Sequence, residues 1–401
     1  MTASFNPSLR ECEHSPSIVR EADKVMRVLQ VTNVYHPELQ FGGPPQKIHA
    51  LSVGLQQAGI QVDVATFLST DRRASIAHFD GVAVHYMPWC GWELKQWPLD
   101  LIQLSERVAR ADIVHCYGIY NALCPLAIRE ARRLSRPVLL EPLGQFVPRG
   151  RNKFAKWIYN ILFTAEMAKR ADRIVATSEK EIHELAVLAA PPKLVLRRNG
   201  VDLDKFKQLP ADGNFRNKMS LPEGVRVILF VGRISPVKNL EQLISAFAIA
   251  GIAGTVLILA GPAEPAYQAR LRSQVAALRQ GERVLFCGPL FGSEMLAALK
   301  TAELFVLPSL MESYGNSAAE AVAAGVPVLL TDTCGVAPII HRRAGLAVPL
   351  GAGHLAKGLQ TMMGGGVRDF MRQKEAVKSE LSWEEPLRWT REIYGKLSPS
   401  A

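Results

Sequence analysis

Short runs of Val, Ile and Leu recur along the chain, separated by stretches in which apolar residues return every three or four positions. In the first half the runs are 25–31 (VMRVLQV), 60–66 (IQVDVAT), 111–117 (ADIVHCY), 136–141 (RPVLLE), 172–178 (DRIVATS) and 193–199 (KLVLRRN). The second half repeats the pattern at 225–232, 255–261, 283–288, 304–309 and 326–332. A near-continuous apolar run predicts a strand buried on both faces. Alternation with amphipathic helices predicts parallel sheets covered on either side. Two successive series imply an α/β protein with two doubly wound, Rossmann-like domains. The break falls at 199–224 (NGVDLDKFKQLPADGNFRNKMSLPEG), which is polar, rich in turn formers and without a strand pattern. The expected organisation is a flexible leader over 1–24, domains over 25–200 and 223–380, a linker over 201–222, and a closing helix within 381–401.

Composition narrows the class. A chain of 401 residues with 48% hydrophobic and 21% charged residues is globular and long enough for two cores. Lys and Arg outnumber Asp and Glu by 47 to 37, which favours phosphorylated or anionic partners. No dense basic run with interleaved aromatics and no zinc-finger spacing occurs, so nucleic acid is not expected. The six cysteines are scattered without a CxxC, as in a cytosolic protein with reduced thiols. The first 24 residues lack an apolar core, and the most apolar stretch, AIAGIAGTVLILAG, is glycine-broken and short of the roughly 20 residues that span a bilayer. The segment 149–170 (RGRNKFAKWIYNILFTAEMAKR) is basic and amphipathic, with Trp157, Tyr159 and Phe163 among its apolar positions. It is a candidate peripheral contact with an anionic membrane; its plainer reading is a helix packed on the first sheet.

Ligands of open α/β sheets bind beyond the carboxyl ends of the strands, so the loops there carry the candidate chemistry. After the first strand, Gly42 and Gly43 precede a helix start, where backbone can approach an anion closely. This is not the GxGxxG of dinucleotide enzymes, and no such pattern occurs in the first domain. His115 ends the strand 111–117 and is placed to bond a substrate hydroxyl; the alternative is a satisfied core histidine. Glu141 and Gly144, in EPLGQF, end another strand and line the same cleft on this reading. In VGRISPVKN, Arg233 and Lys238 flank a Ser-Pro turn, and two cations at a strand end suit a diphosphate. In LPSLMESYGNSAAEAVAAG, Glu312 lies in a loop before a helix. Gly315, Asn316 and Ser317 offer amides at its positive end, and Glu320 sits about a turn and a half inside. Two carboxylates around anion-binding amides suit a ligand with both hydroxyls and phosphate. Asp202 and Asp204 form a D-x-D outside any strand end and are read as turn and cap residues, not metal ligands.

These motifs resemble the large retaining glycosyltransferase family 4, with the GT-B fold, over about residues 25–397. The E-x7-E of Glu312 and Glu320 is the most specific, followed by VGRISPVKN and the RNGVD junction; GGPPQ and DIVHCYG are weaker marks. The resemblance implies two domains facing across a cleft, the acceptor mainly on the first and a sugar nucleotide on the second. Arg233 and Lys238 then neutralise the donor diphosphate and Glu320 binds ribose hydroxyls. Glu312 lies near the transferred sugar, His115 near sugar and acceptor, and the last helix crosses back to the first domain. It further implies a hexosyltransferase that needs no metal or cofactor beyond its UDP-, GDP- or ADP-linked co-substrate. The acceptor would be a glycan or lipid-linked, in surface polysaccharide synthesis at the cytoplasmic side. Ser313-Tyr314 stands where Gly-Phe is commoner in the family. Alternatives are a non-catalytic sugar-nucleotide-binding subunit or a GT-B synthase acting on a phosphorylated sugar.

Overall fold

The computed structural model describes residues 25–38, 43–92, 95–147, 153–210, 213–365 and 367–398. The leader 1–24, Gly42 and residues 149–152 of the basic segment lie outside these.

In chain order the strands are β1 (Arg27–Thr32), β2 (Gln61–Thr66), β3 (Ser75–Phe79), β4 (Val82–Tyr86), β5 (Trp89–Trp92), β6 (Lys95–Pro98), β7 (Ile113–Tyr117), β8 (Val138–Glu141), β9 (Arg173–Ala176) and β10 (Leu194–Leu196). They continue as β11 (Arg226–Val231), β12 (Thr255–Ala260), β13 (Val284–Gly288), β14 (Leu304–Leu307), β15 (Val328–Thr331) and β16 (Gly345–Val348). The first sheet has the order β10-β9-β8-β7-β1-β2-β4-β3, the second β13-β12-β11-β14-β15-β16. Every pairing is parallel except that of β3 with β4, while β5 and β6 form a separate antiparallel hairpin. Every apolar run picked out in the sequence overlaps a strand of one of these sheets. The pattern missed the β3–β4 pair, the hairpin and β16. β3 is largely exposed, and the hairpin and β16 are only partly buried, so none reads as a continuous apolar run.

The core follows the layering. One apolar cluster encloses the second sheet, and two others cover opposite faces of the first. Strand order reverses between β1 and β7 in the first sheet and between β11 and β14 in the second. At such switch points the loops part and leave a crevice at the carboxyl edge.

The last helix, Glu384–Leu397, packs on the first sheet rather than the second. Its apolar stripe, Leu387, Ile393, Tyr394 and Leu397, joins the cluster built on β2, β4 and the helix Gly43–Gln57. Gly54 permits the approach, since a Cβ there would lie 2.6 Å from Leu387. The chain thus crosses between the sheets twice, and the crossings touch: the Val201 amide donates to the Leu381 carbonyl at 2.7 Å.

Candidate active site

The second sheet contributes two loops at its switch point. After β11 the chain passes Arg233 into a short turn, Pro236–Lys238, and Asn239 caps the following helix at φ 57°. That loop is stitched to the one after β14: the Asn239 amide donates to the Pro308 carbonyl (3.1 Å) and Leu310 N–H to the Val237 carbonyl (2.9 Å). The stitching brings Lys238 to Glu312. Its ammonium donates to Oε2 at 2.5 Å, and the Ser309 hydroxyl donates to the same oxygen at 3.2 Å. Both side chains keep some exposure. Sequence reasoning gave Lys238 to a diphosphate and Glu312 to a sugar; the structure adds that the two are paired with each other. Arg233 lies exposed on the same loop.

Gly315 precedes the helix Asn316–Ala323 at φ 108°, a conformation costly for any residue with a Cβ. The first amides of a helix have no intrahelical acceptor, so those of Asn316 and Ser317 begin this one at its positive end. Ala318, Ala319, Ala321, Val322 and Ala323 are buried, which fixes the helix against β14 and β15. Glu320 projects from it. Burial pushes its carboxyl up to about 7, with only Lys205 opposing. No side chain among the described residues hydrogen-bonds it, and the side chain keeps partial access to solvent.

The first domain closes on these loops. The Asn199 amide donates to Asn316 Oδ1 at 2.9 Å, and a Cβ on Gly43 would lie 3.1 Å from Asn316 Nδ2. Asn316, expected to face the donor, is therefore also a bridge between domains. Gly144, at φ 69°, lies so close to Ser313 that a Cβ would fall 1.5 Å from the Ser313 hydroxyl oxygen. The Gly144 amide donates to Glu181 Oε1 at 2.6 Å, and the other Glu181 oxygen accepts from the Thr177 amide and hydroxyl. Burial raises the Glu181 carboxyl above its usual range all the same.

Two expectations are corrected. Glu141 is fully buried and cannot face an acceptor: Lys47 and Arg197 both bond its carboxylate. Burial alone would raise its pKa, but these two cations outweigh that and hold it below the usual value. His115 is also fully buried. Its Nδ1 is bonded by the hydroxyls of Tyr394 (2.7 Å) and Tyr117 (3.0 Å), and its Nε2 lies 3.8 Å from Glu141. Burial drives the imidazole down to about 3, so the ring is neutral at any working pH. His115 is therefore the core histidine of the plainer reading, a positioning residue that ties the last helix to the cleft floor. Sequence reasoning missed Lys47 and Arg197. The available signals were a lysine one turn into the helix that opens at Gly43 and an arginine just past β10. Asp202 behaves as a cap, accepting from the Asp204 amide at 3.2 Å.

Residues 212–375 match the model of glycosyl transferases group 1, and residues 42–200 match that of the glycosyl transferase 4-like domain. The chain is a family-4-type glycosyltransferase. Among the relatives of this glycosyltransferase is a D-inositol 3-phosphate glycosyltransferase of Jonesia denitrificans, 28% identical over 77% of this chain and 79% of that one. Its fold is GT-B. Sucrose-phosphate synthase of Thermosynechococcus elongatus superposes with a TM-score of 0.75 at 20% identity, covering 94% of this chain and all of that one. Anabaena HepE, solved in complex with UDP and glucose, superposes at 0.73 with 16% identity, covering 92% of this chain and all of the other.

Proposed function

We propose that the enzyme moves a hexose from a nucleoside diphosphate sugar to a hydroxyl of a glycan or lipid-linked acceptor, with retention at the anomeric carbon and without a metal ion. The observation that carries this reading is the convergence at one switch point of Arg233, Lys238 and Glu312 with the helix start at Gly315–Ser317 and Glu320. The diphosphate would take Lys238 from Glu312 and gain Arg233 and the helix amides. These stabilise negative charge as the bond from the anomeric carbon to the diphosphate oxygen breaks. The acceptor oxygen bonds to that carbon on the same face and its proton passes to the departing phosphate. Glu312, released from Lys238, orients sugar hydroxyls; Glu320 takes the ribose. The named activity of the Jonesia relative and the UDP held by HepE support a nucleotide-sugar donor.

The place we infer is surface polysaccharide assembly at the cytoplasmic face. Among the described residues the cysteines are unpaired and no helix is long and apolar enough to cross a membrane. A second reading, a phosphorylated polyol or sugar as acceptor, is favoured by the names of the Jonesia and Thermosynechococcus relatives.

Calorimetry with UDP, GDP and ADP tests the donor half. One nucleotide is expected to bind, and more weakly to Arg233→Ala. If none binds, the donor-site assignment fails. Sugar release or transfer, assayed with an inositol phosphate and with a lipid-linked glycan, then separates the two acceptor readings; binding without turnover would mark a non-catalytic subunit.

A further inference from the structure

The helical segment 153–170 presents two faces. Asn160, Thr164, Met167 and Ala168 are buried against the first domain, as in any packed helix. The other face is also apolar: Phe154, Trp157, Ile158, Ile161, Leu162 and Phe163 are exposed, at 72% for Phe154 and 61% for Leu162. Positions 154, 157, 158, 161 and 162 are the i, i+3, i+4, i+7, i+8 stripe that a helix normally turns inward. Here it is turned outward.

A second apolar cluster lies in the same layer. Trp92 and Trp97 of the hairpin, Leu99, and Leu101 and Ile102 at the start of helix Leu101–Arg110 are all more than half exposed. That helix packs on Leu123–Arg133, which packs on Ala165–Arg170, so all three cover one face of the first sheet. Helices that return between parallel strands begin at the strands' carboxyl edge, so both clusters lie at the edge where the cleft opens. Contacts confirm the placement of the longer one: the Tyr159 hydroxyl donates to the Asn121 carbonyl and the Asn160 amide to the Phe146 carbonyl, both in loops beyond that edge.

We infer that these clusters form one docking surface for an anionic lipid bilayer. Isolated exposed apolar residues are ordinary, but a stripe of this length beside a second cluster is not. Charge selects the occupant. Lys156, Lys169 and Arg170 border the stripe against one acid, Glu166, which is paired with Arg170, on a chain of net charge +10. Apolar side chains flanked by cations, with tryptophan among them, are the composition of an interfacial helix. Docked this way, the carboxyl edge of the first domain faces the headgroups and a lipid-borne acceptor reaches the cleft without leaving the bilayer. The orientation deepens the lipid-linked reading and rests on it only for its purpose.

Vesicle flotation with full-length protein tests the surface, using phosphatidylcholine alone and phosphatidylcholine with phosphatidylglycerol. Binding to the anionic vesicles is expected, with a blue shift of tryptophan fluorescence. It should fall at least about tenfold in Trp157→Glu/Leu162→Glu and also in Trp97→Glu/Ile102→Glu. Val187→Glu, at an exposed apolar residue outside the surface, should bind as wild type does. Nucleotide calorimetry on each variant shows that the fold is intact, and its outcome is independent of lipid. Absence of vesicle binding while a nucleotide binds would overturn the docking surface alone; vesicle binding without nucleotide binding would overturn the donor reading alone. Binding that either glutamate pair leaves unchanged overturns the single surface. So does a wild-type dimer that becomes monomeric in Trp157→Glu/Leu162→Glu without vesicle binding, which would assign the face to a second copy.

Discussion

Replacing Glu320 with glutamine should make the empty enzyme more stable and a poorer binder of its donor. The carboxyl is held at about 7 against an ordinary 4.5, because burial disfavours its charged form. An acid whose pKa rises on folding adds no penalty below about pH 4.5. The penalty grows between 4.5 and 7 and is complete above 7. At about 1.4 kcal/mol per unit the full cost is about 3.5 kcal/mol, and the side chain's residual solvent contact reduces it to about 1–3 kcal/mol. Glu320→Gln removes the charge and keeps the shape. At pH 8 it should gain that amount in denaturant unfolding, or a few degrees in the melting of the second domain, with only a small gain near pH 5. Nucleotide affinity should move the other way. Losing a charged acceptor for ribose hydroxyls costs about 1.5–3 kcal/mol, roughly 10- to 100-fold in Kd. The assay is paired: unfolding of the empty protein at pH 5 and 8, and calorimetry at pH 8. A variant less stable than wild type at pH 8, or one that binds nucleotide equally well, would refute the reasoning.

Other outcomes follow from the same geometry. Ribose hydroxyls favour the carboxylate, so nucleotide binding at pH 6–7 should release protons. The heat should then depend on the buffer's ionisation enthalpy, and the dependence should vanish in Glu320→Gln. Lys238→Met should leave Glu312 without its cation and weaken the diphosphate by at least about tenfold while the nucleoside alone binds as before; equal loss for both would place Lys238 elsewhere. Gly144→Ala sets a methyl against the Ser313 hydroxyl, so kcat/KM should fall, and Ser313→Gly should restore part of it. Additive losses in that double variant would exclude the contact. Tyr394→Phe removes one hydroxyl from His115 Nδ1 and should cost about 1 kcal/mol in unfolding without an ionisation appearing between pH 5 and 8, since His115 stays neutral.

Strands with both faces buried were legible because nothing polar interrupts them, as in LFVLPS and TVLILAG. β3 was not, because its outer residues Ser75 and Ile76 are exposed, and its pairing comes from a turn at Asp80–Gly81 rather than from a hydrophobic run. At the site, residues on one loop or helix were placed correctly relative to one another, as with Glu312 and Glu320. Pairings between loops were not: Lys238 with Glu312, or Gly144 with Ser313, depend on which strand ends meet at a switch point. Burial was the hardest property to read. His115 and Glu141 have the residue types of catalysis, yet Lys47 and Arg197, 94 and 56 positions from Glu141, enclose that carboxylate. For Trp157 and Phe163 the sequence left both a membrane contact and a packed helix open, since helical periodicity identifies an apolar face without saying whether it is covered.

The return of helix Glu384–Leu397 to the first sheet makes that domain discontinuous in sequence. Until these residues leave the ribosome, the apolar surface around Gly54 has no cover and His115 lacks the Tyr394 hydroxyl. The half synthesised first is therefore the half completed last, after the second sheet has had time to form. A fragment cut in the linker would carry all ten strands of the first half and still lack part of its core. The same return passes both crossings side by side at Val201 and Ser382, so the two halves are joined as by one doubled strap.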